Sequence, residues 1–393
     1  MNTYHLLSLF FIILLKTKCD IMNDENILNE VHSTFNHSKA TRNLYKQAVK
    51  KYTNFFGMSL DELIEEAEKE EDSGVRWKRR TIKRRLINYR QYLLENHCIN
   101  TVLTLMRPIL VIYKYFEIEI HELPKLNRKQ AIKPEPIRFK DLPDKEVIRE
   151  AVNISDPKMK AIILFMCSSG CARRETLNLT IQDYIDALRE YTDKKDIYSI
   201  LEDLEGDGDI IPTFNVRRQK TDKYYTTYCS PEAVLAINSY LLSRGDELKP
   251  TSPLFKIHEN YLTRSFERIN EDLNLGRKGS FNRFRSHMLR KFHASALYND
   301  GMSRDNVNDL QGKAKNKTDD AYFMTNPEDL KYEYIKHLHA VTINKEVEKL
   351  SIKSPEYIKL EKEKDYYKNK VDTLDGKVDF LMEHVLNGEI ESS

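Results

Sequence analysis

Residues 287–322 read HMLRKFHASALYNDGMSRDNVNDLQGKAKNKTDDAY. The first pair, His287 and Arg290, is spaced i,i+3, which on a helix sets both side chains on one face. Working back from them, no Asp or Glu occurs between Leu273 and Asn299, whereas Arg277, Lys278, Arg283, Arg285, Arg290 and Lys291 all fall there. Such a stretch is a cationic surface, and phosphate is its natural counterpart. Downstream, small and basic residues lead into a polar segment that carries Tyr322. A tyrosine hydroxyl titrates at about pH 10 and attacks poorly unless surrounding positive charge favours the phenolate.

Two earlier stretches belong with this one. Ser168–Tyr184, SSGCARRETLNLTIQDY, is an apolar helix end and a glycine turn followed at once by Arg173, Arg174 and Glu175. Residues 212–231, PTFNVRRQKTDKYYTTYCSP, are rich in β-branched and aromatic residues on both sides of a Lys/Thr/Asp tip, which predicts a hairpin with Lys220 near its turn. Cations converging on one phosphate neutralise the charge that builds on its equatorial oxygens during displacement. A lysine held among other cations has its pKa pulled down and can protonate a departing 5′-oxygen. This chemistry calls for no metal and no cofactor, and none is expected.

Composition sets the frame. The chain has 393 residues, with Lys+Arg 63 against Asp+Glu 61, and is 32% charged and 40% hydrophobic. These values describe a folded, polar, soluble protein and exclude a disordered or membrane-spanning one. The net charge of +2 conceals segregation along the chain. Five scattered cysteines, Cys19, Cys98, Cys167, Cys171 and Cys229, point to a reducing compartment, with Cys167 and Cys171 read as buried helix packing rather than metal ligands.

Residues 1–21 form an apolar leader built on LLSLFFIILL, too short to span a bilayer, and Met22 reads as the natural start. From 22 to 123 apolar residues recur at three and four, which predicts a domain of four or five helices. Within it the acidic run Asp61–Asp72 gives way to Arg76, Lys78, Arg79, Arg80, Lys83, Arg84, Arg85 and Arg90 around Trp77. On a helix these cations wrap more than one face, so the block is expected to contact phosphate. Residues 124–143 hold four prolines and read as a linker, and 144–345 as the domain with the motifs above. The tail, 346–393, carries a heptad-like seam from Tyr357 to Val385 and predicts a coiled-coil helix.

Taken in order, the Gly turn with Arg and Glu, the Lys-Thr hairpin, His-x-Leu-Arg-like His287 to Arg290, the turn Leu310-Gln311-Gly312-Lys313 and a tyrosine nine residues beyond it resemble the tyrosine recombinase (phage integrase) family, most of all its archaeal members. The resemblance implies a mainly α fold with a small antiparallel β-sheet (α+β): a helical core-binding domain followed by a catalytic domain. It implies that Tyr322 forms a 3′-phosphotyrosyl link to DNA, that Arg173 and Arg290 clamp the scissile phosphate, and that Lys220 is the general acid. His287 would assist as acid/base or by hydrogen bonding to phosphate, and Glu175 would orient the site. Two departures stand out. The usual Gly-x-Arg is Gly170-Cys171-Ala172, so the arginine comes one residue late, with Arg173 the choice and Arg174 in reserve. The turn that commonly ends in His or Trp ends in Lys313, which must donate to phosphate instead.

The implied partners are double-stranded DNA, a homotetramer on paired sites and accessory DNA-bending factors, in the cytoplasm on the nucleoid, with no stable membrane association. DNA contacts are expected from Arg76, Lys78, Arg79, Arg80, Lys83 and Arg84, and from Arg277, Lys278, Arg283 and Arg285. The alternatives are a DNA-binding protein of this fold that no longer catalyses, and a type IB topoisomerase-like relaxer.

Overall fold

The computed structural model describes residues 24–126, 135–205, 208–218, 222–313 and 325–344, together with Lys370. The apolar leader, the middle of the linker, Lys220, Tyr322 and the heptad tail lie outside the described residues. The chain divides into two units, Met1–Glu135 and Pro136–Ser393.

The first unit is all helix: residues 24–34 (α1), Lys39–Phe56 (α2), Leu60–Asp72 (α3), Thr81–Asn96 (α4) and Ile99–Tyr115 (α5). Ser38 and Ser59 cap α2 and α3 with their hydroxyls, and Gly57 ends α2 in the left-handed conformation. The apolar spacing seen in the sequence becomes a shared core of Tyr52, Leu86, Tyr89, Leu93, Ile109 and Tyr113. The hydroxyls of Tyr52 and Tyr113 meet at 3.1 Å, so each buried phenol keeps a partner.

The basic block does not act as one surface. Arg76, Lys78, Arg79 and Arg84 are exposed and Lys83 is half-buried. Arg80, expected among the DNA contacts, is buried: its Nε donates to the Val75 carbonyl at 2.8 Å and its guanidinium pairs with Glu71 at 3.2 Å. That corrects the expectation, because the turn Trp77–Arg79 aims Arg80 back at the acidic end of α3. Arg85 likewise turns inward, to Glu66 at 2.7 Å and over the Phe56 ring.

In the second unit the helices Lys145–Asn153 (α6), Pro157–Ser169 (α7), Arg173–Asn178 (α8), Ile181–Ala187 (α9) and Ile197–Asp203 (α10) precede a hairpin. Its strands are Thr213–Arg218 (β1) and Lys223–Tyr228 (β2), paired antiparallel with Arg218 opposite Lys223. After it come Pro231–Leu242 (α11), Glu259–Asp272 (α12), a short hairpin of Arg277–Lys278 (β3) and Phe281–Asn282 (β4), and then Ser286–Asn299 (α13) and Arg304–Leu310 (α14). Pro327–Lys336 (α15) and Leu338–Val341 (α16) close the described chain.

Helix α7 is the axis of this unit. Its residues from Ala161 to Ser169 are all buried, and α11 and α13 pack on it. Such a helix is apolar all round because it has no solvent face. The unpaired carbonyls of its C-terminal end are tied down by side chains from far along the sequence: Tyr334 donates to the Ser168 carbonyl at 2.9 Å, and Thr227 to that of Ser169 at 2.8 Å. Buried Glu232 accepts from the Ile343 and Asn344 amides, fixing the end of the described chain against α11. Cys167, Cys171 and Cys229 are free and buried in this core. Among the described residues no helix is long and apolar enough to cross a membrane, and no group of His, Cys, Asp and Glu could hold a metal ion.

Candidate active site

Three elements converge where α7 ends. Gly170 takes φ +65°, and a Cβ there would come within 2.5 Å of the His293 ring, so both the backbone turn and the close approach require glycine. The turn exposes the Gly170 carbonyl to α13, whose Arg290 donates to it through Nη1 at 2.5 Å. The Arg290 Nη2 donates to the Gln311 carbonyl in the turn after α14. Gln311 answers by donating to the Arg290 carbonyl at 2.9 Å. Arg290 is thus locked in one orientation before any ligand arrives, which is the preorganisation that electrostatic catalysis needs.

Glu175, from the first turn of α8, is the carboxylate at the centre. Its Oε2 accepts from the Ala172 amide at 2.6 Å, from the Tyr225 hydroxyl at 3.0 Å and from Arg290 at 3.2 Å. Its Oε1 lies 3.5 Å from Arg218 Nε. Arg218 also donates through Nη1 to the Gly312 carbonyl at 2.6 Å. Gly312 has φ +56°, and a Cβ there would come within 2.4 Å of the Tyr225 ring. The turn at 311–312 therefore packs on the hairpin and offers its two successive carbonyls to two arginines.

An imidazole and a lysine line the rim. His287 is exposed at the start of α13, and its pKa is pulled down by partial desolvation and then by Lys291, Arg285 and Arg290. Lys313 is exposed, its pKa likewise lowered by desolvation and by Arg290, Arg218 and Arg304. Groups that depress one another in this way would each gain from an arriving anion. Behind them His293 is fully buried, and burial with Arg290 and Lys313 nearby drives its pKa down to about 3, so it stands neutral. Its Nδ1 meets Gln311 Nε2 at 3.1 Å.

Residues 144–328 match the phage integrase family. This segment is a phage integrase family domain. Lys220 and Tyr322 lie within the matched residues, though outside the described ones. Among solved structures, the chain is similar to the XerH site-specific recombinase bound to difH substrate, at 16% identity and TM-score 0.47, covering 78% of this chain and 82% of that one. A lambda integrase dimer bound to a COC′ core site gives 12% identity and TM-score 0.48, covering 78% and 80%. XerA recombinase gives 17% and 0.33, covering 80% and 98%. No curated protein matches the chain.

Within the integrase domain the structure brings Glu175, Arg290, Lys313 and His287 to one place. It does not bring Arg173 there. As the first residue of α8, Arg173 points to α12, where Thr263 Oγ1 accepts from Nη1 at 3.0 Å and Glu259 pairs with Nη2 at 2.6 Å. Arg174 is exposed. The extra residue after the glycine turn puts Ala172 next to Glu175 and carries the arginine past it. Of the expected DNA contacts, Arg277 is exposed, while Lys278 is turned toward Asp141 at 3.8 Å and Arg283 donates to the Lys140 carbonyl at 3.2 Å. Those two tie the β3–β4 hairpin to the segment entering the domain, through the Asp141 carboxylate and the Lys140 carbonyl. Arg285 lies over the Phe281 ring at 4.1 Å.

The sequence reading passed over Arg218, Tyr225, His293 and Gln311. A signal for Arg218 was present: in a strand residues two apart share a face, and Phe214 and Val216 are buried, so Arg218 follows them inward while Asn215 and Arg217 face out.

Proposed function

We propose that this protein is a site-specific DNA recombinase that cuts and rejoins duplex DNA through a 3′-phosphotyrosyl intermediate, without metal or ATP. The observation that carries the reading is the pair Arg290 and Arg218 on a single buried carboxylate, with Lys313 and His287 close to Arg290, inside a phage integrase family domain. One negative charge among so many positive ones leaves a place for a phosphate.

In this reaction the Tyr322 hydroxyl passes its proton to the neutral His287, its oxygen attacks the scissile phosphorus and the bond from phosphorus to the 5′-oxygen breaks. Lys220 supplies the proton that the departing 5′-oxygen takes up. Arg290 holds a non-bridging oxygen, and Lys313 and His287 donate to the phosphate from the rim. The tyrosyl ester conserves the phosphodiester energy, so a 5′-hydroxyl from a partner strand reverses the step with no ATP. The exposed cations Arg76, Lys78, Arg79 and Arg84 of the helical unit, and Arg277 of the integrase domain, contact the DNA backbone. Two paired sites and four copies of the chain are needed for a full exchange.

The test uses a pool of nicked suicide duplexes with a randomised core, incubated with the full chain in the presence of a chelator. A covalent protein–DNA adduct is expected, with the recovered cores converging on one sequence, and Tyr322→Phe abolishes it. No adduct from the parent, with salt-sensitive duplex binding intact, would overturn the reading in favour of a non-catalytic DNA-binding protein.

A further inference from the structure

We infer that Arg218, from the hairpin strand β1, is the second phosphate-clamping arginine, in the place that the late arginine of α8 does not reach. The inference rests on the recombinase reading above and goes beyond it by assigning a residue to the site.

The geometry treats Arg218 and Arg290 as a pair. Each holds one oxygen of Glu175, Arg218 at Oε1 and Arg290 at Oε2. Each also donates to one of two adjacent carbonyls, Arg290 to that of Gln311 and Arg218 to that of Gly312. Two guanidinium groups fixed by the same carboxylate and the same turn are held at one place in the domain, and a pair of arginines so placed suits the two non-bridging oxygens of one phosphate. Arg218 keeps 21% of its side-chain surface open, against 9% for Arg290, so it is the more accessible of the two to a ligand.

Arg173 has none of these relations. Its guanidinium is engaged by Glu259 and Thr263 on α12, and a neutralising carboxylate already occupies it. Ala172 stands where an arginine directly following the turn would enter the site, and its amide donates to Glu175. The carboxylate that this position would have paired is paired by Arg218 instead.

The experiment compares two nicked duplexes carrying the core recovered from the trapping selection, one with an ordinary scissile phosphodiester and one with a methylphosphonate there. The methylphosphonate removes the negative charge that a clamping cation neutralises. Arg218→Ala is expected to lower adduct formation at least about 100-fold on the phosphodiester, the effect of removing one preorganised donor, and to recover to within about tenfold of the parent on the methylphosphonate. Arg173→Ala shows no such relief. If Arg218→Ala does not fold, Arg218→Gln, which keeps a donor for the Gly312 carbonyl, carries the same comparison. Adduct formation within tenfold of the parent on the phosphodiester, a loss that the methylphosphonate leaves in place, or relief at Arg173→Ala overturns the assignment. A parent that traps neither duplex overturns the recombinase reading itself.

Discussion

Arg218 and Arg290 hold opposite oxygens of one carboxylate, with Arg218 Nε 3.5 Å from Glu175 Oε1 and Arg290 Nη1 3.2 Å from Oε2. Glu175 is therefore the counter-charge that lets two arginines sit side by side in a largely buried place. Removing it leaves their mutual repulsion uncompensated. Glu175→Gln should lower the stability of the integrase domain by about 3 kcal/mol, read from the shift of its denaturant midpoint. A change well under about 1 kcal/mol would mean that the carboxylate is not what holds the pair.

Acid should loosen the same site. His293 is buried and neutral, with a pKa of about 3 in the fold against 6.5 in an unfolded chain. Below pH 6.5 the unfolded chain gains a proton that the folded one refuses, so the stability His293 contributes is intact above that pH and falls as pH drops toward 3. The slope reaches about 1.4 kcal/mol per pH unit. Between pH 7 and pH 5, His293→Gln should lose about 2 kcal/mol less than the parent. Equal losses in the two proteins would show that another group carries the acid sensitivity.

The basic block of the helical unit divides by burial into exposed residues, proposed above to bind DNA, and a residue that builds the unit. Replacing Arg76, Lys78, Arg79 and Arg84 together with alanine should reduce the salt slope of random-duplex binding by about 3 to 4 with the unit's melting unchanged. Arg80→Ala should do the reverse, costing about 3 kcal/mol through its broken contact with Glu71 while the slope stays put. An Arg80→Ala protein that melts like the parent but binds with a shallower slope would return Arg80 to the DNA surface.

These contrasts mark where the sequence was legible. The hairpin at 213–228 could be read because β-branched and aromatic residues flank a Lys/Thr/Asp tip, and the shared face of His287 and Arg290 because they are spaced i,i+3. The glycine turn at Gly170 was evident at the end of an apolar run. Local pattern carries such features, since strand and helix periods are properties of neighbouring residues. What escaped it depends on residues distant in sequence. Nothing near Arg173 says that α12 will present Glu259 and Thr263 to it, and Arg218 meets Gly312 across 94 positions. The resemblance of ordered motifs supplied the family where spacing alone left an alanine at the entrance of the site.

On the recombinase reading proposed above, Tyr322 becomes joined to DNA. Protease digestion of the trapped adduct, followed by mass spectrometry of the nucleotide-bearing peptide, measures this directly. One modified tryptic peptide is expected, TDDAYFMTNPEDLK, with the phosphoryl group on Tyr322 and none on Tyr332 or Tyr334. A DNA-linked peptide from any other residue, or a stable complex with no covalent link, would contradict it.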